Sequence, residues 1–224
     1  MPRIERVDVG DEIYHVINRA NARVRIFDDE KDYKLFEDIL KEAVEKFEMR
    51  LLAYCIMPNH WHLVLHPKND GDLAKFMGWL SNTHTRRWHT VKKTIGHGHL
   101  YQGRYKSFLC EKENYLLTLL RYVERNAKRA KMVTVAEDWK WSSVWFRNNN
   151  LNSKNKFLSP WPILVPKNYL NYLNEPQTIE ELDNIHRSIT KNIPLGSDVW
   201  VGKMVDTYKL EQTLRGVGRP KNGG

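Results

Sequence analysis

The sequence predicts an α+β domain in which helices pack on one antiparallel β-sheet, followed by a small helical C-terminal appendage. Two observations lead to this fold class. Short apolar or alternating runs, typical of strands, are interleaved with longer runs in which apolar residues recur every three or four positions, as on a helix face. A turn pair, Pro58 and Asn59, separates two of the predicted strands and indicates a hairpin.

The predicted elements of the first half are a strand, a helix and that hairpin. Residues 12–18 alternate as a strand does, and residues 33–47 carry the apolar stripe of an amphipathic helix. The near-continuous apolar run 50–57 is the first arm of the hairpin. Residues 60–66 form the second arm.

Two helices and one strand are predicted next. Asp72 begins a helix, residues 107–110 read as a short strand, and residues 113–131 form the most regular helix of the chain. The resulting order, in which helices alternate with strands and one hairpin, is similar to ferredoxin-like folds.

The chain divides into a predicted catalytic domain over residues 1–148 and a C-terminal region over 149–224. The second region begins with a polar, Asn-rich linker and contains two predicted helices, at 179–189 and 198–210. A basic tail at 215–221 is expected to be disordered.

The composition favours a polyanionic partner and a reducing compartment inside the cell. The 224 residues carry a formal net charge of +9, and hydrophobic residues make up 41%, enough for a real core. The two cysteines, Cys55 and Cys110, lie in apolar runs and are expected to be free thiols in a reducing compartment. No apolar run reaches the roughly 18–20 residues of a membrane span, and the N-terminus lacks a signal-peptide core. We therefore expect a cytoplasmic protein without a membrane partner.

A candidate site emerges from two short segments. Alternation along a strand puts His60 and His62 on one face and Trp61 on the other, which makes a pair of imidazole ligands for a divalent metal. Tyr122 and Asn126 are one turn apart on the long predicted helix. A pair of metal ligands beside a tyrosine in a basic protein suggests phosphodiester chemistry on DNA.

Several segments together resemble one known family. Met57 to His62 resembles the His-hydrophobic-His motif of HUH endonucleases. Four further segments are residues 102–107, 115–117, 121–130 and 139–143. In sequence and order they resemble the REP-associated tyrosine transposases, which are single-strand transposases with one catalytic tyrosine. The resemblance covers roughly residues 10–146, and its strength lies in the whole ordered set.

The resemblance implies a function and a site. Tyr122 would be the catalytic nucleophile, and His60, His62 and Asn126 would bind the metal, Mg²⁺ or Mn²⁺. The protein would bind single-stranded DNA folded as a hairpin, then cleave and rejoin it through a 5′-phosphotyrosine. Nitrogen ligands also admit Zn²⁺ or Ni²⁺. Monomer and homodimer both remain open.

Basic residues near these segments are expected to contact DNA phosphates, although a solvated surface explains part of them. The tail resembles the Gly-Arg-Pro core of AT-hook peptides, with Val217 where an arginine normally precedes the glycine. The predicted DNA-binding residues are Arg19, Arg86, Arg87, Arg104, Lys106, Arg121, Arg125, Lys128, Arg129 and Arg219.

Alternatives stay open for function and for single residues. The same fold could serve a domesticated, non-transposing DNA-binding regulator. A metal-dependent hydrolytic nuclease would keep cutting without Tyr122. Tyr115 competes with Tyr122 but is expected to pack, and His66 is expected to be structural or to support the ligands. His15 has equal claims to a DNA contact and to a plain strand-end role.

Overall fold

The computed structural model describes residues 6–149 and 157–214. Its centre is an antiparallel sheet of four strands in the order β2-β3-β1-β4. The strands are β1 (Ile13–Arg19), β2 (Arg50–Met57), β3 (His60–His66) and β4 (Lys106–Cys110). With one helix between β1 and β2 and another between β3 and β4, this is the ferredoxin-like arrangement. The predicted fold class is confirmed.

One face of the sheet is covered by α1 (Glu30–Lys46) and α2 (Asp72–Lys92). The Asp29 carboxylate begins α1 by accepting hydrogen bonds from the first free backbone N–H groups. Trp61 lies on this face, fully buried, with its ring stacked 5.5 Å from that of Phe36. The large apolar side chains of β3 therefore point away from the histidines.

The opposite face of the sheet is covered by α3 (Asn114–Glu124) and α4 (Asn126–Arg129). The single helix predicted over 113–131 is thus two helices, because Arg125 leaves regular helix geometry at φ −84° and ψ 0°. Arg125 still makes helical hydrogen bonds on both sides of the break: its N–H donates to the Arg121 carbonyl, and its carbonyl accepts from the Arg129 N–H, both at 2.9 Å. Tyr122 and Asn126 consequently keep the predicted one-turn spacing.

The C-terminal helices pack on this core rather than standing apart. They are α5 (Ser143–Asn149), α6 (Tyr169–Asn174), α7 (Ile179–Lys191), α8 (Asp198–Tyr208) and α9 (Glu211–Leu214). A reciprocal cap between Thr178 and Glu181 begins α7, which contacts α3 and β4. Beyond α7, the Leu195 backbone exchanges hydrogen bonds with Leu109 and Glu111 along β4.

The two C-terminal helices that periodicity predicts are present as α7 and α8, whereas α5, α6 and α9 were not predicted. The α5 helix runs across the proposed boundary at residue 148, and the division into two regions stays a prediction. Across the described ranges, no helix is both long and apolar enough to cross a membrane.

Candidate active site

The sheet face opposite Trp61 carries a compact group of rings. The centroids of the His60 and His62 rings are 5.0 Å apart. Tyr122 reaches them from α3, with its ring edge-on to His62 at a centroid distance of 5.8 Å. The tyrosine is only 3% exposed. The structure thus brings together the predicted nucleophile and the two predicted imidazole ligands.

Arg129 holds Tyr122 and Asn126 together. Its guanidinium carbon lies 4.1 Å from the centroid of the Tyr122 ring, and its Nη2 donates to Asn126 Oδ1 at 2.8 Å. Because a guanidinium carries only donors, the atom it meets on Asn126 is the amide oxygen. Arg129 was predicted to bind DNA, and the structure places it inside the site as a partner of the phenol and the amide.

Burial sets the protonation of the site. It lowers the pKa of His60 to about 3, with smaller contributions from the charges of Arg19 and Arg129. Burial also lowers the pKa of His62 well below its ordinary value. Both imidazoles are therefore neutral near pH 7 and carry a free lone pair. Burial raises the pKa of Tyr122, while Arg129 and Arg19 act to lower it.

The residues present fit a divalent metal. His60 Nδ1 lies 2.7 Å from Asn59 Oδ1, whose identity is fixed because Asn59 Nδ2 donates to the Arg23 carbonyl at 3.0 Å. Nδ1 of His60 therefore carries the proton, and its Nε2 is free to bind a metal. Asn126 Nδ2 is buried without a hydrogen-bond partner.

The donor set comprises two neutral imidazoles and one amide oxygen; the amide oxygen is a ligand type that suits Mg²⁺ or Mn²⁺, and the imidazole nitrogens also admit Zn²⁺. Within residues 6–149 and 157–214, no three His, Cys, Asp or Glu side chains are grouped to hold a metal. A metal at His60 and His62 would therefore need a ligand of another type, such as the predicted carboxamide of Asn126.

A cationic cleft lies beside the rings. It has a volume of about 500 Å³, and it is lined by Arg23 and by three of the predicted DNA-binding residues, Arg19, Arg104 and Lys106. An adjoining cleft of about 660 Å³ shares Arg104 with it. No carboxylate is among the described residues that line either cleft. Arg23 was missed because it precedes the hairpin by many residues and only the fold brings it here.

Two other predicted DNA contacts have different partners in the structure. Arg121 is 4% exposed, and its Nη2 donates to the carbonyls of Glu175 and Pro176, both at 2.8 Å. Its predicted DNA contact is therefore corrected to a structural role that ties the C-terminal region to α3. Arg87 forms a two-pronged ion pair with Glu42, at 2.7 and 2.8 Å.

The remaining predicted basic residues differ in their surroundings. Lys128 donates to Asn174 Oδ1 at 3.1 Å, which joins α4 to α6. Arg86 is exposed on α2, and Arg125 is half-buried beside the site. Arg219 and the tail around it lie outside the described residues.

Two further rings belong to the site, although the sequence did not place them there. His15 on β1 is fully buried, with Nε2 2.9 Å from His62 Nδ1. His186 on α7 packs edge-on to Tyr122 at a centroid distance of 6.0 Å. The position of His186 has no sequence signal, since it depends on how α7 docks. Tyr115, the competing tyrosine, is partly buried against the apolar core beneath α3.

The comparisons with known proteins place this chain in a transposase family. Residues 8–126, just over half of the chain, match the family model described as "Transposase IS200 like", and the protein belongs to that family. The predicted resemblance to REP-associated tyrosine transposases is confirmed with it.

Two similar proteins have names that are narrower than the family description. A protein of Haemophilus influenzae named for the REP-associated tyrosine transposases is 26% identical over 116 residues. That alignment covers 48% of this chain and 66% of the relative, slightly less than two thirds of its length. A solved REP-associated tyrosine transposase bound to a REP hairpin has the same fold, with a TM-score of 0.54 and 14% identity. The match covers 80% of this chain and 99% of that one.

Proposed function

We propose that this protein is a transposase that cleaves and rejoins single-stranded DNA through Tyr122. The observation that carries the proposal is the contact of Tyr122 with His62 and Arg129, beside a cleft lined by cations. A buried phenol flanked by neutral imidazoles and an arginine is suited to meeting a phosphate. A cleft whose described lining residues include no carboxylate is suited to receiving the strand that carries that phosphate.

The proposed reaction is a transesterification. The Tyr122 oxygen loses its proton to solvent and attacks the phosphorus. The bond from phosphorus to the 3′ oxygen breaks, and that oxygen takes up a proton to leave as a 3′ hydroxyl. The DNA is then joined to the protein as a 5′-phosphotyrosine. Because one ester replaces another, an incoming 3′ hydroxyl can reverse the step and rejoin the strand.

Each side chain of the site has a task in this scheme. His60, His62 and Asn126 would hold Mg²⁺ or Mn²⁺, which supplies Lewis acidity and orients the phosphate. Arg129 aligns the Tyr122 ring and offers positive charge as the phenol ionises. The charge of Arg19, on β1, lowers the pKa of both His60 and Tyr122. Arg19 is therefore close enough to the site for its charge to face the same phosphate.

The proposed substrate is hairpin DNA with an unpaired flank. The solved structure that shares this fold is bound to a REP hairpin. Arg19 lines the cleft with Arg104 and Lys106, and its charge also lowers the pKa of Tyr122. The cleft would therefore guide an unpaired strand toward Tyr122 by its phosphates. Base contacts in the clefts would then select the sequence that is cut.

The test is adduct formation on labelled hairpin DNA with Mn²⁺ or Mg²⁺, followed by denaturing electrophoresis. The wild-type protein should form a labelled adduct, Tyr122→Phe should form none, and Tyr115→Phe, the matched control on the same helix, should react normally. Cutting without an adduct in Tyr122→Phe would instead identify a hydrolytic nuclease. Tight hairpin binding with no cleavage by the wild type would favour the DNA-binding regulator.

A further inference from the structure

We infer that His15 is a positioning residue that fixes the His62 ring in the tautomer able to bind a metal. The inference rests on the metal site of the proposed function, and it adds a residue from β1 to that site. His15 has no role in the reaction scheme above and does not line the DNA clefts.

The sheet holds the two rings in one geometry. His15 on β1 lies two residues from Ile17, the residue that pairs with His62 on β3. Their side chains share a face, and His15 Nε2 lies 2.9 Å from His62 Nδ1. On its other side the His15 ring packs against Phe108 at a centroid distance of 4.8 Å. His15 is fully buried, so this contact cannot be exchanged for water.

A single proton decides what the pair can do. Between two neutral imidazoles one nitrogen donates and the other accepts. If His62 Nδ1–H donates to His15 Nε2, the Nε2 of His62 keeps a lone pair for a metal. If His15 donates instead, the proton of His62 sits on Nε2 and that ring cannot bind. His60 has no such choice, because the amide oxygen of Asn59 already fixes it.

The structure gives His15 no competing partner. Its Nδ1 is buried without a hydrogen bond in either arrangement. The contact with His62 is therefore the hydrogen bond that the His15 ring makes. Metal binding at His62 requires His15 Nε2 to accept in that bond, which places the His15 proton on Nδ1. A metal-binding histidine usually donates its second N–H to a carboxylate or carbonyl. As a neutral acceptor, the His15 imidazole can orient the His62 ring in the same way, without placing a negative charge beside the incoming phosphate.

The first test reads the tautomers directly in metal-free protein. Ring ¹⁵N NMR of the wild type, at a pH where the histidines are neutral, should show the proton of His62 on Nδ1. It should show Nε2 of His15 unprotonated. Protonation of His62 at Nε2 in the wild type would overturn the inference, and this measurement needs neither metal nor a variant.

The second test measures Mn²⁺ binding by electron paramagnetic resonance. His15→Phe keeps the ring volume but removes the acceptor, and it should weaken Mn²⁺ binding 10–100-fold, the range typical of lost support behind a metal ligand. His15→Gln offers an amide oxygen and should remain within a few-fold of the wild type. His66→Phe, on the same face of β3, is the matched control and should bind normally.

The outcomes separate the two proposals. Equal Mn²⁺ affinity in a folded His15→Phe and in the wild type would overturn the role of His15, while the metal site would stand. A wild type that binds no Mn²⁺, yet shows His62 protonated at Nδ1, would reject the metal site and leave the tautomer control by His15 supported. If His15→Phe fails to fold, the wild-type NMR spectrum decides.

Discussion

Arg129 provides the sharpest test of how the site works. The sequence suggested a surface contact with DNA, whereas the structure places its guanidinium against the Tyr122 ring and the Asn126 amide oxygen. Replacing it with glutamine removes the charge and keeps a hydrogen-bond donor. We therefore expect Arg129→Gln to slow cleavage while changing DNA affinity little.

The size of the effect follows from the contacts. A desolvated cation–π pair is worth about 2 kcal/mol, and a hydrogen bond to a charged group about 1.5–3 kcal/mol. Glutamine keeps part of the second contact, so a loss of about 2–3 kcal/mol is reasonable for a phenol that ionises in the transition state. At about 1.4 kcal/mol for each factor of ten, the cleavage rate should fall roughly 30–150-fold.

The assay is single-turnover cleavage of hairpin DNA at saturating protein. Lys128→Gln is the matched control, because Lys128 lies one residue away and pairs with Asn174 rather than with the phenol. Its cleavage rate should stay near that of the wild type. Equal losses in both variants, or an Arg129→Gln rate equal to that of the wild type at saturating protein, would refute a role for Arg129 at the reacting tyrosine.

Three further predictions concern charge and stability. Removing a phosphate contact from a single strand lowers the slope of log binding constant against log salt by about 0.7, so Arg104→Gln should do this. Arg87→Gln, which breaks an ion pair with Glu42 instead, should leave the slope unchanged; equal slopes for both would contradict the cleft as the DNA path. Burial raises the pKa of Glu124, so its carboxyl favours folding below its ordinary pKa and loses that stability as pH rises through the raised value. Thermal melts should therefore show Glu124→Gln gaining on the wild type as the pH rises above 4.5, the ordinary pKa of the carboxyl, and a constant difference would contradict this. The buried histidines act in the opposite direction: burial lowers the pKa of three of them from 6.5 to about 3, so the unfolded chain binds more protons and stability falls as pH drops through that window. These three histidines are His15, His60 and His84. In urea denaturation the free energy of unfolding should fall by up to about 1.4 kcal/mol per pH unit for each of them. An unchanged free energy of unfolding from pH 7 to 5 would contradict their burial as neutral rings.

Much of the fold could be predicted because local patterns determine it. The bounds of β2 and β3 match the apolar runs on either side of Pro58 and Asn59. Strand alternation alone also separates His60 and His62 from Trp61. Helix periodicity placed Tyr122 and Asn126 one turn apart, and the break at Arg125 did not disturb that spacing.

What could not be predicted depends on contacts between distant segments. The pairing of His15 with His62 follows from the register of β1 on β3, which the sequence alone does not specify. Arg121 resembles any exposed basic residue of a helix, and only the fold brings the carbonyls of Glu175 and Pro176 to accept its hydrogen bonds. His186 reaches Tyr122 only because α7 docks on α3.

The proposed function requires that the Tyr122 phenol, enclosed by His62, Arg129 and His186, forms the covalent bond to DNA. The most direct measurement is mass spectrometry of the protein–DNA adduct after nuclease and protease digestion. We expect a nucleotide attached through phosphate to Tyr122 and to no other residue. A nucleotide on Tyr115, on a histidine or on a serine would contradict it.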